Sequence, residues 1–256
     1  MDRKNTDKKP NNDLIIGRNA VREALNSGRA IDHLLVAKGV TGGSVSQIIA
    51  LCRKNNIPVK EADSKKLDFL CGNDKHQGVA LFAAAHEYAS MADIYALAAE
   101  RGEPLFVILC DGLEDPHNLG AVIRSAEAAG AHGVIIPEHR SVSLSSYAGK
   151  AAAGALEYVP VVRVKNLNNT VKELKEKGVW VYAADMDGAP YYETDMSGPA
   201  ALIIGSEGKG ISRLMRENAD IIVSVPMYGH INSLNASVAG GILMFEITKS
   251  RHSKRA

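Results

Sequence analysis

Ile221-Ile222-Val223-Ser224-Val225-Pro226-Met227-Tyr228-Gly229-His230-Ile231-Asn232-Ser233-Leu234-Asn235-Ala236-Ser237, followed by the apolar run Val238 to Ile247, is the stretch around which the chain is organised. The run Ile221 to Val225 reads as a buried strand and Val238 to Ile247 as a helix. Pro226 ends the strand, and Gly229 offers a turn where a side chain would not fit. Between strand and helix stand the hydrogen-bonding side chains of Tyr228, His230, Asn232, Ser233, Asn235 and Ser237. Ser233 and Asn235 fall at the start of the coming helix, where free N–H groups and the positive end of the helix dipole favour polar side chains. A cap accounts for Ser233 alone. It does not account for so many polar groups after a buried strand.

Upstream, the same strand–loop–helix unit recurs. Leu105 to Cys110, Val134 to Ile136, Val159 to Val164, Val179 to Ala184 and Ala201 to Ile204 read as strands. Val122 to Ala129, Ala148 to Ala155, Leu167 to Glu176 and Ser212 to Glu217 read as helices. Continuous apolar strands alternating with helices predict a parallel sheet covered on both faces. Ligands of such sheets bind beyond the carboxyl ends of the strands. Leu14 to Ala85 alternates as well, with helices over Asn19 to Leu25, Val45 to Cys52 and Ser64 to Leu70 and strands over Ile31 to Val36, Ile57 to Val59 and Val79 to Ala85. That is a small α/β module, large enough to fold alone. Ser90 to Arg101 reads as an amphipathic helix stopped by Gly102 and Pro104. The expected organisation is a disordered basic tail over 1–12, a small domain over 13–87, a linker helix over 88–102, the main domain over 103–249, and a second basic tail over 250–256.

The chain has 256 residues, 46% hydrophobic and 23% charged, which suits a folded soluble protein of one or two domains. No apolar run approaches the ~18 residues of a membrane span, and the polar N-terminus lacks the apolar core of a signal peptide. Cys52, Cys71 and Cys110 are scattered and form no CxxC, which favours reduced thiols in a cytoplasmic protein over a zinc site. The eight His show no HxxxH pair on one helix face, so no metal is expected. The net charge of +1 hides an uneven distribution: residues 103–248 carry 11 Lys/Arg against 17 Asp/Glu, and residues 249–256 carry four and none. The basic excess lies in the N-terminal third and both tails. Such tails suit a phosphate-rich partner, and solvated ends explain them equally well.

Two further loops share the character of the first. Asp111-Gly112-Leu113-Glu114-Asp115-Pro116-His117-Asn118-Leu119-Gly120 follows a strand, with Asp115 as a helix cap, Asn118 in the first helical turn and Arg124 six residues later. Arg124, flanked by Ile123 and Ala126, is expected to be partly buried and functional. Gly205-Ser206-Glu207-Gly208-Lys209-Gly210-Ile211-Ser212 follows another strand, and its glycines let backbone N–H groups approach a ligand. It is not a Walker A loop, because the spacing fails and Lys209 is followed by Gly210. Glu207 would repel a triphosphate. All three loops sit at strand carboxyl ends and can converge. Between them they offer carboxamide, guanidinium, carboxylate and hydroxyl groups, with no cysteine nucleophile.

These loops, in this order, closely resemble the three motifs of the SpoU (TrmH-type) RNA ribose 2′-O-methyltransferases. The matching runs are Asp115 to Gly120 with Arg124-Ser125-Ala126, Gly205 to Gly208 with Gly210-Ile211-Ser212, and Pro226-Met227 with Ser233-Leu234-Asn235. Ala236 and Ala152 depart from the pattern, where Val and Ser are usual. The resemblance implies a trefoil-knotted C-terminal α/β domain, a ribosomal-protein-like N-terminal domain containing His76-Gln77-Gly78, and a homodimer whose two chains share their sites. It implies methyl transfer from S-adenosylmethionine to a ribose 2′-hydroxyl, most like the enzyme that modifies a guanosine in 23S rRNA, with RNA rather than DNA or membrane as partner. A tRNA target and a non-catalytic rRNA-binding role are the alternatives. By resemblance, Arg124 activates the hydroxyl or stabilises the alkoxide, Asn118 and Glu207 orient it, and Ser233 and Asn235 position the nucleotide. The adenine lies on backbone groups around Gly205, Val225 and Leu234.

Overall fold

The computed structural model describes residues 14–72, 75–84 and 86–253. The expected tail over 1–12 lies outside these residues. The chain divides into two compact units between Glu87 and Tyr88.

The first unit contains strands β1 (Leu14–Ile16), β2 (Ile31–Ala37), β3 (Val59–Ala62) and β4 (Val79–Ala83), and helices α1 (Arg18–Asn26), α2 (Gly43–Lys54) and α3 (Ser64–Cys71). Its sheet runs β1-β4-β2-β3, parallel only between β2 and β3. Leu34, Ile48, Val79 and Leu81 form its fully buried centre. The apolar spacing predicts these elements except β1, whose three residues are too few to show a period, and it sets the third strand at Ile57 to Val59, whereas β3 runs over Val59–Ala62 and shares only Val59 with it. His76-Gln77-Gly78 forms the turn before β4. Gln77 has a φ of 52°, and its side-chain oxygen accepts a bond from the Arg18 N–H at 3.1 Å, joining this turn to the start of α1.

The second unit opens with α4 (Met91–Arg101), then β5 (Phe106–Asp111), α5 (Pro116–Ala128), β6 (Gly133–Pro137), α6 (Ser146–Ala152), β7 (Val161–Val164) and α7 (Leu167–Glu176). It continues with β8 (Trp180–Pro190), β9 (Ala200–Gly205), α8 (Arg213–Asn218), β10 (Ile221–Ser224) and α9 (Ala236–Ser253). The six strands are all parallel, in the order β10-β8-β9-β5-β6-β7. Residues along β5 alternate between two cores. Phe106, Ile108 and Cys110 pack with Leu119, Val122, Ala148, Leu243 and Met244, while Val107 and Leu109 pack with Ile94, Val171, Leu174 and Met215. Helices therefore cover both faces, as the unbroken apolar strands require.

Helix α6 and the start of strand β7 are shifted by two or three residues from the expected Ala148 to Ala155 and Val159 to Val164, and three further boundaries differ with larger consequences. The 88–102 segment is not a free linker: Ile94 is fully buried in the second unit's core and lies against Gly133. A Ser90–Asp93 capping box fixes where that helix starts. Helix α9 runs to Ser253, so residues 250–253 of the expected second tail are helical, and its remainder, 254–256, lies outside the described residues. Strand β8 extends six residues past Ala184, because β10 keeps pairing with it through a register shift between Ile222 and Val223.

His132 is fully buried at the amino end of the sheet, its Nδ1 accepting the Phe106 N–H at 3.0 Å and its Nε2 lying 3.3 Å from Glu103 Oε2. Burial, helped by the nearby Arg251 and Arg101 charges and opposed by Glu103, lowers its pKa to about 4. The unfolded chain, with an ordinary histidine pKa of ~6.5, then binds the extra proton between the two values. Stability from this group is complete above pH ~6.5 and is lost as pH falls toward 4, by up to about 3 kcal/mol. Denaturant unfolding at pH 7 and pH 5 is expected to show a smaller pH difference for His132→Gln than for the wild type.

Candidate active site

Three loops leave the carboxyl ends of β5, β9 and β10 and meet. After β5, Asp115 caps α5 by accepting the His117 N–H at 2.9 Å, and Pro116 occupies the first helical position, where its missing N–H costs nothing. Asn118 is thereby fixed in the first turn and is 7% exposed. After β9, the chain folds back on itself. Ser206 and Gly210 exchange two backbone bonds of 3.0 and 2.9 Å, with Gly208 and Gly210 at φ of 81° and 64°, which favours glycine at both. Asp111, at the end of β5, accepts the Ser212 N–H at 2.6 Å and ties the first loop to the second.

After β10, the chain runs without regular structure to Asn235, which caps α9. Its Oδ1 accepts from the Ser237 N–H at 3.0 Å, the Ser237 hydroxyl at 2.6 Å and the Val238 N–H at 3.3 Å. With Oδ1 occupied by the cap, Nδ2 is turned toward the other loops. It donates to Asn118 Oδ1 at 2.9 Å and, in a short bond, to Glu207 Oε1. Asn118 Nδ2 donates to the same Glu207 oxygen at 3.1 Å. One residue from each loop thus enters a closed triangle of amide and carboxylate groups. Glu207 takes part through Oε1.

Beside the triangle lies a cavity of about 520 Å³. Gly205, Glu207, Val225, Ser233, Leu234 and Asn235 all line it, as do Ala184, Asp185 and Met186 from the extended β8. Among the described residues, its walls bring two carboxylates, Asp185 and Glu207, and no Lys or Arg. That charge pattern suits a cationic ligand and opposes a phosphate. The volume falls within the ~300–1,000 Å³ common for small-molecule sites.

Seven of the eight expected site residues are thus gathered at one place. Arg124 is the correction. It stands exposed on α5, makes no hydrogen bond or ion pair among the described residues, and is not held by Asn118 or Glu207. The reason is helical geometry: six residues from Asn118 is about 9 Å along the axis and two-thirds of a turn past it. Ser233 is exposed and precedes α9 rather than starting it, so Asn235 alone caps the helix. Gly229 has no left-handed φ and stands in open space, so the turn there does not depend on it. Asp185 and its neighbours were missed because β8 continues past its apolar part, where nothing local marks a site. Of the two departures from the family pattern, Ala152 is fully buried in α6 beside Gly120 of α5, where backbones pack too closely for a Cβ at Gly120. A small residue at 152 suits that contact.

Asn235→Ala removes a cap and two bonds of the triangle together. Loss of the cap costs about 1 kcal/mol, and the melting temperature is expected to fall by about 2–6 °C. Asn235→Asp keeps the cap but sets a carboxylate against Glu207. It is expected to recover the cap's share of stability and none of the activity, which thermal melts and turnover assays would separate.

Comparison with known proteins agrees with this geometry. Residues 105–245 match the model described as the SpoU rRNA Methylase family, and residues 14–89 match one described as RNA 2′-O ribose methyltransferase substrate binding. YacO of Bacillus subtilis, provisionally named a TrmH family tRNA/rRNA methyltransferase, is 44% identical over 241 residues, covering 94% of this chain and 96% of YacO. An AdoMet-bound rRNA methyltransferase from Sinorhizobium meliloti superposes with a TM-score of 0.56 at 26% identity, over 92% of this chain and 86% of that one. AviRb of Streptomyces viridochromogenes, a SpoU methyltransferase, shares the fold with a TM-score of 0.60 at 23% identity, over 94% and 90% of the two chains. A match to that model over more than half the chain, which spans all three converging loops, places this chain in the SpoU rRNA methylase family.

Proposed function

We propose that this protein transfers a methyl group from S-adenosylmethionine to the 2′-oxygen of a ribose in RNA, with a guanosine of 23S rRNA as its target. The reading rests foremost on the Asn118–Glu207–Asn235 triangle beside a cavity that, among the described residues, has acidic groups and no basic ones on its walls. The cavity's size and charge fit the cofactor, which supplies a methyl group on a positively charged sulfur. Backbone groups at Gly205, Val225 and Leu234 would hold its adenine. Ser233 and the triangle would hold the target nucleotide. The triangle is rigid because each amide is bonded at both ends, so the nucleotide meets preorganised groups.

A hydroxyl is a weak nucleophile, and a group must take its proton or stabilise the alkoxide that forms. Arg124 is the proposed group. A guanidinium with a pKa of ~12.5 is a poor base in water, so its role is chiefly electrostatic, through a forked set of donors toward the developing charge. Its separation from the triangle of its own chain fits a homodimer in which Arg124 of the partner subunit completes each site. The exposed Val238 and Phe245 on α9 offer an apolar face for that dimer. The chain path through the second unit is proposed to form a trefoil knot, and the first unit is proposed to be a ribosomal-protein-like domain that holds structured RNA by shape and phosphate contacts. A cytoplasmic location follows from this substrate.

A tRNA target is the second reading, favoured by the double tRNA/rRNA name of the Bacillus relative. Labelled S-adenosylmethionine offered with unmodified 23S rRNA fragments and with tRNA tests both. Label mapped to one rRNA guanosine as a 2′-O-methyl ribose is the expected result. Label in tRNA alone would replace the target, and normal cofactor binding without transfer to any RNA, including precursor ribosomal particles, would overturn the enzymatic reading.

A further inference from the structure

Asp185 stands on the wall of the cavity, just past the apolar part of β8. Its Oδ2 receives a short bond from Arg216 Nη1 on α8, and Arg216 Nη2 lies 3.9 Å from Asp187. Among the described residues, Oδ1 has no hydrogen-bonding partner. The side chain is 21% exposed, so this free oxygen is neither fully sequestered nor open to bulk water. A carboxylate accepts hydrogen bonds and cannot donate them. A half-satisfied carboxylate, held from behind by a guanidinium and facing a cavity, is arranged to receive donors from whatever fills that cavity.

The cavity's two carboxylates differ in one respect. Asp185 has its charge compensated by Arg216. Among the described residues, Glu207 is bonded only to the neutral amides of Asn118 and Asn235. The uncompensated Glu207 is the group suited to a positive charge, and the compensated Asp185 is suited to neutral donors. Of the proposed cofactor's parts, the adenosine carries neutral donors, namely the two ribose hydroxyls and the exocyclic amine.

Building on the cofactor reading above, we propose that Asp185 is a cofactor-recognition residue that accepts hydrogen bonds from the adenosine part, and that Arg216 is the positioning residue that aims it. Lost in this way, a bond to a charged acceptor weakens binding by about 10- to 100-fold.

The test is calorimetric binding of S-adenosylmethionine, S-adenosylhomocysteine and methylthioadenosine to the full chain, with no RNA present. All three share the adenosine, and only the first carries the sulfonium charge. Asp185→Asn is expected to weaken all three alike. Arg216→Ala is expected to weaken them by a smaller factor, and the double variant to be no worse than Asp185→Asn, because both act through one contact. Arg216→Lys should recover part of the loss. Repeating the series with the inosine counterpart of S-adenosylhomocysteine separates the ribose hydroxyls from the amine: an unchanged penalty assigns the hydroxyls, a vanished one the amine. Weakening confined to S-adenosylmethionine would show that Asp185 reads charge and overturn the proposal, as would unchanged affinity for all three. Thermal melts identify a variant that has lost its fold, and Asp185→Ser, which also removes the charged acceptor, serves in place of Asp185→Asn with the same expected weakening of all three ligands. The RNA target plays no part in these measurements, so failure here leaves the proposed reaction standing, and failure of the reaction leaves these affinities measurable.

Discussion

Arg124→Ala is expected to lower methyl transfer by about 10³-fold or more while leaving cofactor affinity within about twofold and the melting temperature nearly unchanged. The separation of effects follows from its surroundings. Arg124 is exposed and makes no hydrogen bond or ion pair among the described residues, so no part of the fold leans on it. It does not line the cavity, so cofactor binding in the proposed site is expected not to need it. A change that removes only the transition-state interaction lowers kcat and kcat/KM together. Arg124→Lys keeps the charge and loses the fork, and an intermediate activity is expected. Mixed dimers supply a sharper check. In the proposed homodimer, one chain carrying Arg124→Ala and another unable to bind cofactor would restore one complete site in each mixed dimer, about a quarter of wild-type activity in a random mixture. Near-normal turnover by Arg124→Ala alone would remove Arg124 from the mechanism.

Gly205→Ala supplies that second chain and is expected to weaken cofactor binding by at least about 100-fold. A Cβ at this position would overlap the backbone of Gly210 and Ile211, which cannot swing aside as a flexible side chain would. The overlap can be relieved only by opening the Ser206–Gly210 pair of backbone bonds, and that displaces Glu207 from Asn118 and Asn235. Overpacking of this kind also costs about 1–3 kcal/mol of stability. Titration calorimetry and thermal melts should register both losses. Gly208→Ala is the contrast: a Cβ there meets nothing, so its cost is limited to the backbone strain of a positive φ. An undisturbed affinity in Gly205→Ala would mean that the cofactor does not sit against this loop.

Much of this protein was legible before folding. Every strand of the second unit appeared as an apolar run, and both faces of β5 proved to be covered as such a run requires. The three loops announced themselves by glycine, proline and polar side chains at strand ends, and Asp115 caps its helix as its position suggested. These are local properties. Apolar period, turn residues and caps act over a few neighbouring residues, so the order of residues alone determines them. The rest depends on which distant segments meet. The strand order β10-β8-β9-β5-β6-β7 is not the chain order, and it brings Asn235 to Asn118 across 117 residues. It also extends β8 beyond its apolar part, which is what carries Asp185 into the cavity and against Arg216. His132 became a buried neutral base only because Phe106 and Glu103 closed around it, and Arg124 stayed exposed because a helix fixes its side chains at set angles. Sequence determined which elements form and where the chemistry could sit; tertiary structure decided which groups share it, because burial and pairing are set by contacts between segments far apart in the chain.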